Sequence, residues 1–153
     1  MDLSDLIAPD AIFPELKAKS KKQALQAVAQ RAAKLTGLDE RAILDTLLQR
    51  ERLGSTGIGR GIAIPHGRVQ GLLRIVSVFA RLEDPIEFEA LDDEPVDLIF
   101  LLLAPEHAGA DHLKALARIS RVLREPASID RLRASRDRAT IYSVLTEPAV
   151  HAA

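Results

Sequence analysis

The sequence predicts an α/β protein, with helices on both sides of a central sheet. Three observations predict it. Two blocks before residue 53 carry apolar residues three and four apart, the spacing of helix stripes. Short apolar runs rich in Val, Ile and Phe fill the middle of the chain. Helical spacing then returns beyond Pro105.

Ala11 to Leu16 reads as a short strand that Pro14 confines to a sheet edge, because proline has no N–H for a ladder. Ser20-Lys21-Lys22-Gln23 has the form of a capping box, and Leu25, Val28, Ala29, Ala32 and Leu35 form the stripe of the helix behind it. Gly37 stops that helix. Asp39 caps a second one, with stripe Ile43, Leu44, Leu47 and Leu48 and Gly54 as its left-handed exit. Ile62-Ala63-Ile64 is a short strand that Pro65 ends. Leu73 to Leu82 and Val96 to Leu103 are two further strands. The second is apolar almost throughout, which suits a strand covered on both faces. Between them, Glu83 to Pro95 carries seven acids and no base, so it reads as an exposed connection with a short Ile86–Phe88 extension. The next helix has Leu113, Leu116, Ala117, Ser120 and Leu123 on one face and is broken by Pro126. Ser128 to Leu132 and Asp137 to Leu145 are two shorter helices, and residues 147–153 a loose tail.

The 153 residues suit one domain spanning the whole chain. With 47% hydrophobic and 28% charged residues, the composition is that of a folded chain and not of a disordered one. Aromatics are only 3%, so the core must be aliphatic. A net charge of -1 gives no electrostatic reason to bind nucleic acid. The seven arginines between Arg118 and Arg138 face three acids and one aromatic, poor material for stacking bases. Without cysteine there are no disulfides, thiolate chemistry or cysteine zinc sites, and a reducing cytoplasm is the expected compartment. The first residues lack the pattern of a signal peptide, and no run approaches the roughly 20 apolar residues of a membrane span.

Five of the eight glycines fall between residues 54 and 67, in Gly54-Ser55-Thr56-Gly57-Ile58-Gly59-Arg60-Gly61-Ile62-Ala63-Ile64-Pro65-His66-Gly67. Glycine lets backbone approach a ligand closely, and successive N–H groups can cradle an anion. The run matches neither a Walker A loop nor the dinucleotide fingerprint. A tight turn between a helix and a strand would use glycines in the same way. His66 adds a nucleophile. Flanked by Pro65 and Gly67, it is held on a rigid element without a bulky neighbour. Histidine alone among side chains changes charge near neutral pH without perturbation. A phosphoryl group on either ring nitrogen would need donors, and Arg50, Ser55, Thr56 and the amides of the loop, Gly57 among them, could supply them. His107 reads as solvated. His66, His107 and His112 are poorly spaced for a metal, since the last two are five apart.

Glu51, Ile58, Gly59, Ile62, Ala63, Ile64, Pro65, His66 and Gly67 together resemble the signature of the mannitol/fructose-type enzyme IIA domains of the bacterial phosphoenolpyruvate-dependent phosphotransferase system (PTS). The longer run from Gly54 to Gly67 is most similar to the family's nitrogen-regulatory branch. Leu16 to Lys22, Pro95 to Leu98 and Asp111 to Leu113 fit as well, so the resemblance covers nearly the whole chain. It implies a three-layer α/β/α sandwich around a mixed sheet of about four to five strands. It further implies that His66 is phosphorylated on Nε2 by a phosphohistidine of an HPr-like carrier protein. Arg50 would match the family's phosphate-binding arginine, and His112 a second histidine that orients or stabilises the phosphate. Ser55, Thr56, Gly57 and Gly67 are expected phosphate contacts. No metal, nucleotide or organic cofactor is implied. Two other readings stay open: a sugar-transport component passing phosphate to a IIB domain, and a module that binds an anion without covalent modification.

Overall fold

In the computed structural model, which describes residues 3–147, the chain forms a three-layer α/β/α sandwich around a mixed six-stranded sheet. A short 3-10 turn at Pro9–Ala11 leads into β1 (Ile12–Leu16), followed by α1 (Lys21–Thr36) and α2 (Glu40–Arg52). Then come β2 (Gly57–Gly59), β3 (Ile62–Ala63), β4 (His66–Val69), β5 (Val76–Ile86) and β6 (Val96–Pro105). Three helices close the described chain: α3 (Ala110–Val122), α4 (Pro126–Ala134) and α5 (Arg138–Thr146). The strand order is β1-β5-β6-β3-β2, with β4 also on β6. β5 runs antiparallel to β6, whereas β1 is parallel to β5 and both β3 and β4 are parallel to β6.

The strand count exceeds the expected four to five because the stretch around Pro65 makes two strands and the glycine loop a third. β3 pairs with Leu98 and Ile99 of β6, and β4 resumes the same edge from Leu102 to Pro105. Pro65 therefore interrupts a strand instead of ending one. Its carbonyl still accepts from Leu102 N–H at 2.9 Å, so the missing donor costs little. β6 is the central strand, and Leu98 to Ala104 are buried without exception, as its apolar run requires. β1 lies at the edge, where Pro14 is tolerated.

The helix signals hold with local differences. Ser20 Oγ accepts from Gln23 N–H at 3.2 Å, but the Gln23 amide oxygen returns to Lys19 N–H (2.8 Å), one residue before the cap. Gly37 closes α1 in the left-handed region (φ 75), and Asp39 caps α2 by accepting from Ala42 N–H at 3.0 Å. Leu53 ends α2 in the right-handed region, and Gly54 makes the exit with a positive φ of 148, a conformation that residues with a side chain rarely adopt. The acidic Glu83 to Pro95 is less exposed than its charge predicts. β5 extends to Ile86, which pairs with Val96, and Phe88 and Ala90 are buried. Ile86, Phe88 and Ala90 supply core, while the acids and Leu91 face out. In α3 the buried face is His112, Ala115, Ile119 and then Leu123, while Leu113 is 64% exposed. The helix is turned by about 100°, one residue, from the stripe that leucine counting predicts. Of the expected tail, Glu147 pairs with Arg131 at 2.7 Å, and the remainder lies outside the described residues.

Candidate functional site

The site forms where α2, the glycine loop, β4 and α3 meet. His66 opens β4 opposite Leu102, so the central strand fixes its backbone. Its ring is half-buried. Nδ1 lies 2.8 Å from the carbonyl oxygen of Ile64. A carbonyl can only accept, so Nδ1 carries the proton and Nε2 keeps its lone pair. Arg50, in the last turn of α2, donates from Nε to His66 Nε2 at 3.4 Å and from Nη1 to the Gly54 carbonyl at 3.0 Å. The imidazole is thus a single tautomer, with its bare nitrogen beside a guanidinium.

His112, on the buried face of α3, meets the first ring edge-on, with centroids 5.7 Å apart and planes at 61°. It is 7% exposed, and its Nε2 has no hydrogen-bond partner among the described residues. Burial, then the nearby His66 and the charge of Arg68, pull its pKa below the ordinary 6.5. His112 therefore stays neutral at pH 7 and can serve one ring nitrogen as a donor without bringing a charge.

The loop residues sit differently. The structure brings Arg50 and His112 to His66, but it does not bring the Ser55 and Thr56 hydroxyls there. Ser55 Oγ donates to the Phe88 carbonyl at 2.9 Å and accepts from Gly57 N–H at 3.1 Å. The Thr56 hydroxyl donates to Glu51 Oε1, and Thr56 is buried at 3% exposure. Gly57 is needed for a close approach by protein: a Cβ there would lie 2.8 Å from Ala90 Cβ and 2.9 Å from its Cα. At Gly67 a Cβ would lie 2.7 Å from Thr46 Cγ2 of α2. These two glycines let the acidic segment and α2 pack tightly against the site.

Sequence reasoning assigned no task to three participants. The Ile64 carbonyl sets the His66 tautomer, and a backbone atom leaves no signal in side-chain identity. Glu51 is 6% exposed and accepts from Thr56 N–H at 3.2 and 3.0 Å; Lys21 pairs with it at 3.2 Å. A signal for Glu51 existed, since an acid in the last turn of a helix opposes the helix dipole and needs another reason to be there. His107 lies in the turn before α3.

The model of the family described as "Phosphoenolpyruvate-dependent sugar phosphotransferase system, EIIA 2" matches residues 5–147. A nitrogen regulatory protein from Bradyrhizobium diazoefficiens is 60% identical over 153 residues, the full length of both chains. A PTS system fructose-specific EIIA component from Haloferax volcanii is 34% identical over 147 residues, 95% of this chain and 96% of its own. The crystal structure of the nitrogen regulatory protein IIA-Ntr from Neisseria meningitidis superposes with a TM-score of 0.88 at 31% identity, covering 93% of this chain and 97% of that one.

Proposed function

The chain belongs to the EIIA 2 family of the phosphoenolpyruvate-dependent sugar phosphotransferase system, and from that premise we propose that it is a cytoplasmic, single-domain phosphohistidine carrier acting through His66. The observation that carries this reading is the Ile64 carbonyl on His66 Nδ1 (2.8 Å), which leaves Nε2 as the nucleophile beside Arg50. The donor is a phosphohistidine of an HPr-like carrier protein. The His66 Nε2 lone pair attacks phosphorus, the P–N bond to the donor ring breaks, and that electron pair stays on the donor nitrogen. The His66 proton stays on Nδ1, hydrogen-bonded to the Ile64 carbonyl, whose dipole offsets positive charge gained by the ring. Arg50 turns its fork from Nε2 to the arriving oxygens, and His112 donates to another. Ser55, Thr56, Gly57 and Gly67 shape the backbone around the phosphoryl group.

The 60% identical relative is named a nitrogen regulatory protein, which favours regulation through phosphorylation state. The 34% identical fructose-specific component favours the second reading, onward transfer to a IIB domain. Incubation with phosphoenolpyruvate, enzyme I and an HPr-like carrier, followed by intact-mass measurement, tests the common core of both. One acid-labile phosphoryl group that disappears in His66→Ala is expected. Labelling that persists in that variant, or no mass gain in the parent protein, overturns the reading and leaves a non-covalent anion-binding module.

A further inference from the structure

Arg50 and Glu51 are consecutive in α2, yet they face different tasks. Arg50 holds the Gly54 carbonyl at 3.0 Å. Glu51 turns inward and takes the Thr56 backbone N–H with both oxygens and the Thr56 hydroxyl with one. The loop from Leu53 to Thr56 is therefore held at two points by neighbouring residues of one helix. Thr56 in turn accepts from Ile64 N–H through its own carbonyl, at 3.0 Å. The Ile64 carbonyl is the acceptor that fixes the His66 tautomer. A continuous chain of hydrogen bonds runs from the Glu51 carboxylate through Thr56 and Ile64 to Nδ1 of His66.

The circuit closes on the far side. Lys21, the first residue of α1, pairs with Glu51 at 3.2 Å, with Glu89 at 3.5 Å, and sits 4.7 Å over the Phe88 ring. The Phe88 carbonyl accepts from Ser55. A carboxylate only 6% exposed costs free energy to desolvate, and here it also opposes the dipole of its own helix. An apolar residue of similar size would fill the space without either cost but could not order Thr56. We infer that Glu51 is a positioning residue for phosphoryl transfer: through Thr56 it places the two carbonyls, Gly54 and Ile64, that aim Arg50 and His66 at each other. It touches neither phosphate nor partner. This rests on the proposed role of His66 as phosphoryl acceptor and adds what holds that residue ready.

Glu51→Gln tests it. The amide keeps the shape but loses one acceptor and the charge facing Lys21. In transfer from a phosphorylated HPr-like carrier, kcat is expected to fall about tenfold, the scale of a slight misalignment, with KM unchanged because the Glu51 carboxylate is buried and the exposed surface stays as it was. Nitrogen-15 spectra should show the His66 ring leaving its single tautomer and the Arg50 Nε–H signal broadening. Thr56→Val, which loses the hydroxyl but keeps the backbone N–H, should lie between parent and Glu51→Gln. A Glu51→Gln protein that melts earlier but keeps parent kcat, His66 tautomer and Arg50 signal would make Glu51 a structural residue only and overturn the inference. Failure of the parent protein itself to take up phosphate would instead overturn the proposed function, so the two failures are distinct.

Discussion

At the scale of single residues, the site is a pair of imidazoles with unequal surroundings. His66 is half-buried, with its proton on the Ile64 side, while His112 is buried and kept neutral. The depressed pKa of His112 is a statement about stability with a definite sign. Above pH 6.5, its ordinary value, both folded and unfolded chains carry it neutral and nothing is lost. As pH falls below that value the unfolded chain binds the proton first, so stability falls until the folded pKa is passed. Urea midpoints measured from pH 7 to pH 5 should decline in the parent protein and decline less in His112→Gln. Phosphorylation reverses one of the causes, since a dianion on the neighbouring ring favours the charged form. The His112 titration, followed by NMR, should therefore move upward on phosphorylation, and no movement would place the phosphoryl group away from it.

His66 and Arg50 were legible as site residues because their chemistry is carried by side chains. The roles expected of Ser55 and Thr56 were not met in the same way, because short hydroxyl side chains in a glycine loop satisfy local backbone as readily as a ligand. Only the fold reveals that Phe88 and Glu51 lie within their reach.

Elements were legible where a cap or a stop is local. Ser20, Gly37 and Asp39 act within four residues of themselves, and each does what its type predicts. Asp39→Ala should cost about 1 kcal/mol in a urea titration, without touching the site. What sequence could not show is contact between elements. The leucine count in α3 points to Leu113, yet the sheet takes His112, because the face that a helix buries is set by what it meets. The acidic segment hides Phe88 and Ala90 for the same reason. Gly67 is where α2 crosses β4, and Gly67→Ala must push Thr46 away. A loss of about 1–3 kcal/mol is expected for that overpacking, against a much smaller loss for Gly67→Ala combined with Thr46→Ser.

For the whole molecule, the order of strands was beyond reach of the sequence, since it depends on pairings between residues far apart in the chain. Its consequence is plain once seen. β6 takes β5 on one edge and the broken β3–β4 strand on the other, so Leu102 lies between Ser77 and His66. His66 is thereby anchored to the most buried strand while its ring stays only half-buried. The framework does not depend on that ring, and His66→Ala should lower the unfolding free energy from a urea titration by no more than about 1 kcal/mol, with an unchanged m value. Loss of labelling in that variant then reports chemistry and not unfolding.

The central claim is that His66 holds its proton on Nδ1 and reacts through Nε2. Long-range proton–nitrogen correlation spectra of the protein labelled with nitrogen-15, before and after phosphorylation by the donor system, test it directly. Expected are a protonated Nδ1 and a bare Nε2 at rest, and phosphorus bonded to Nε2 afterwards. Phosphorus on Nδ1, or a resting ring protonated at Nε2, would contradict the account.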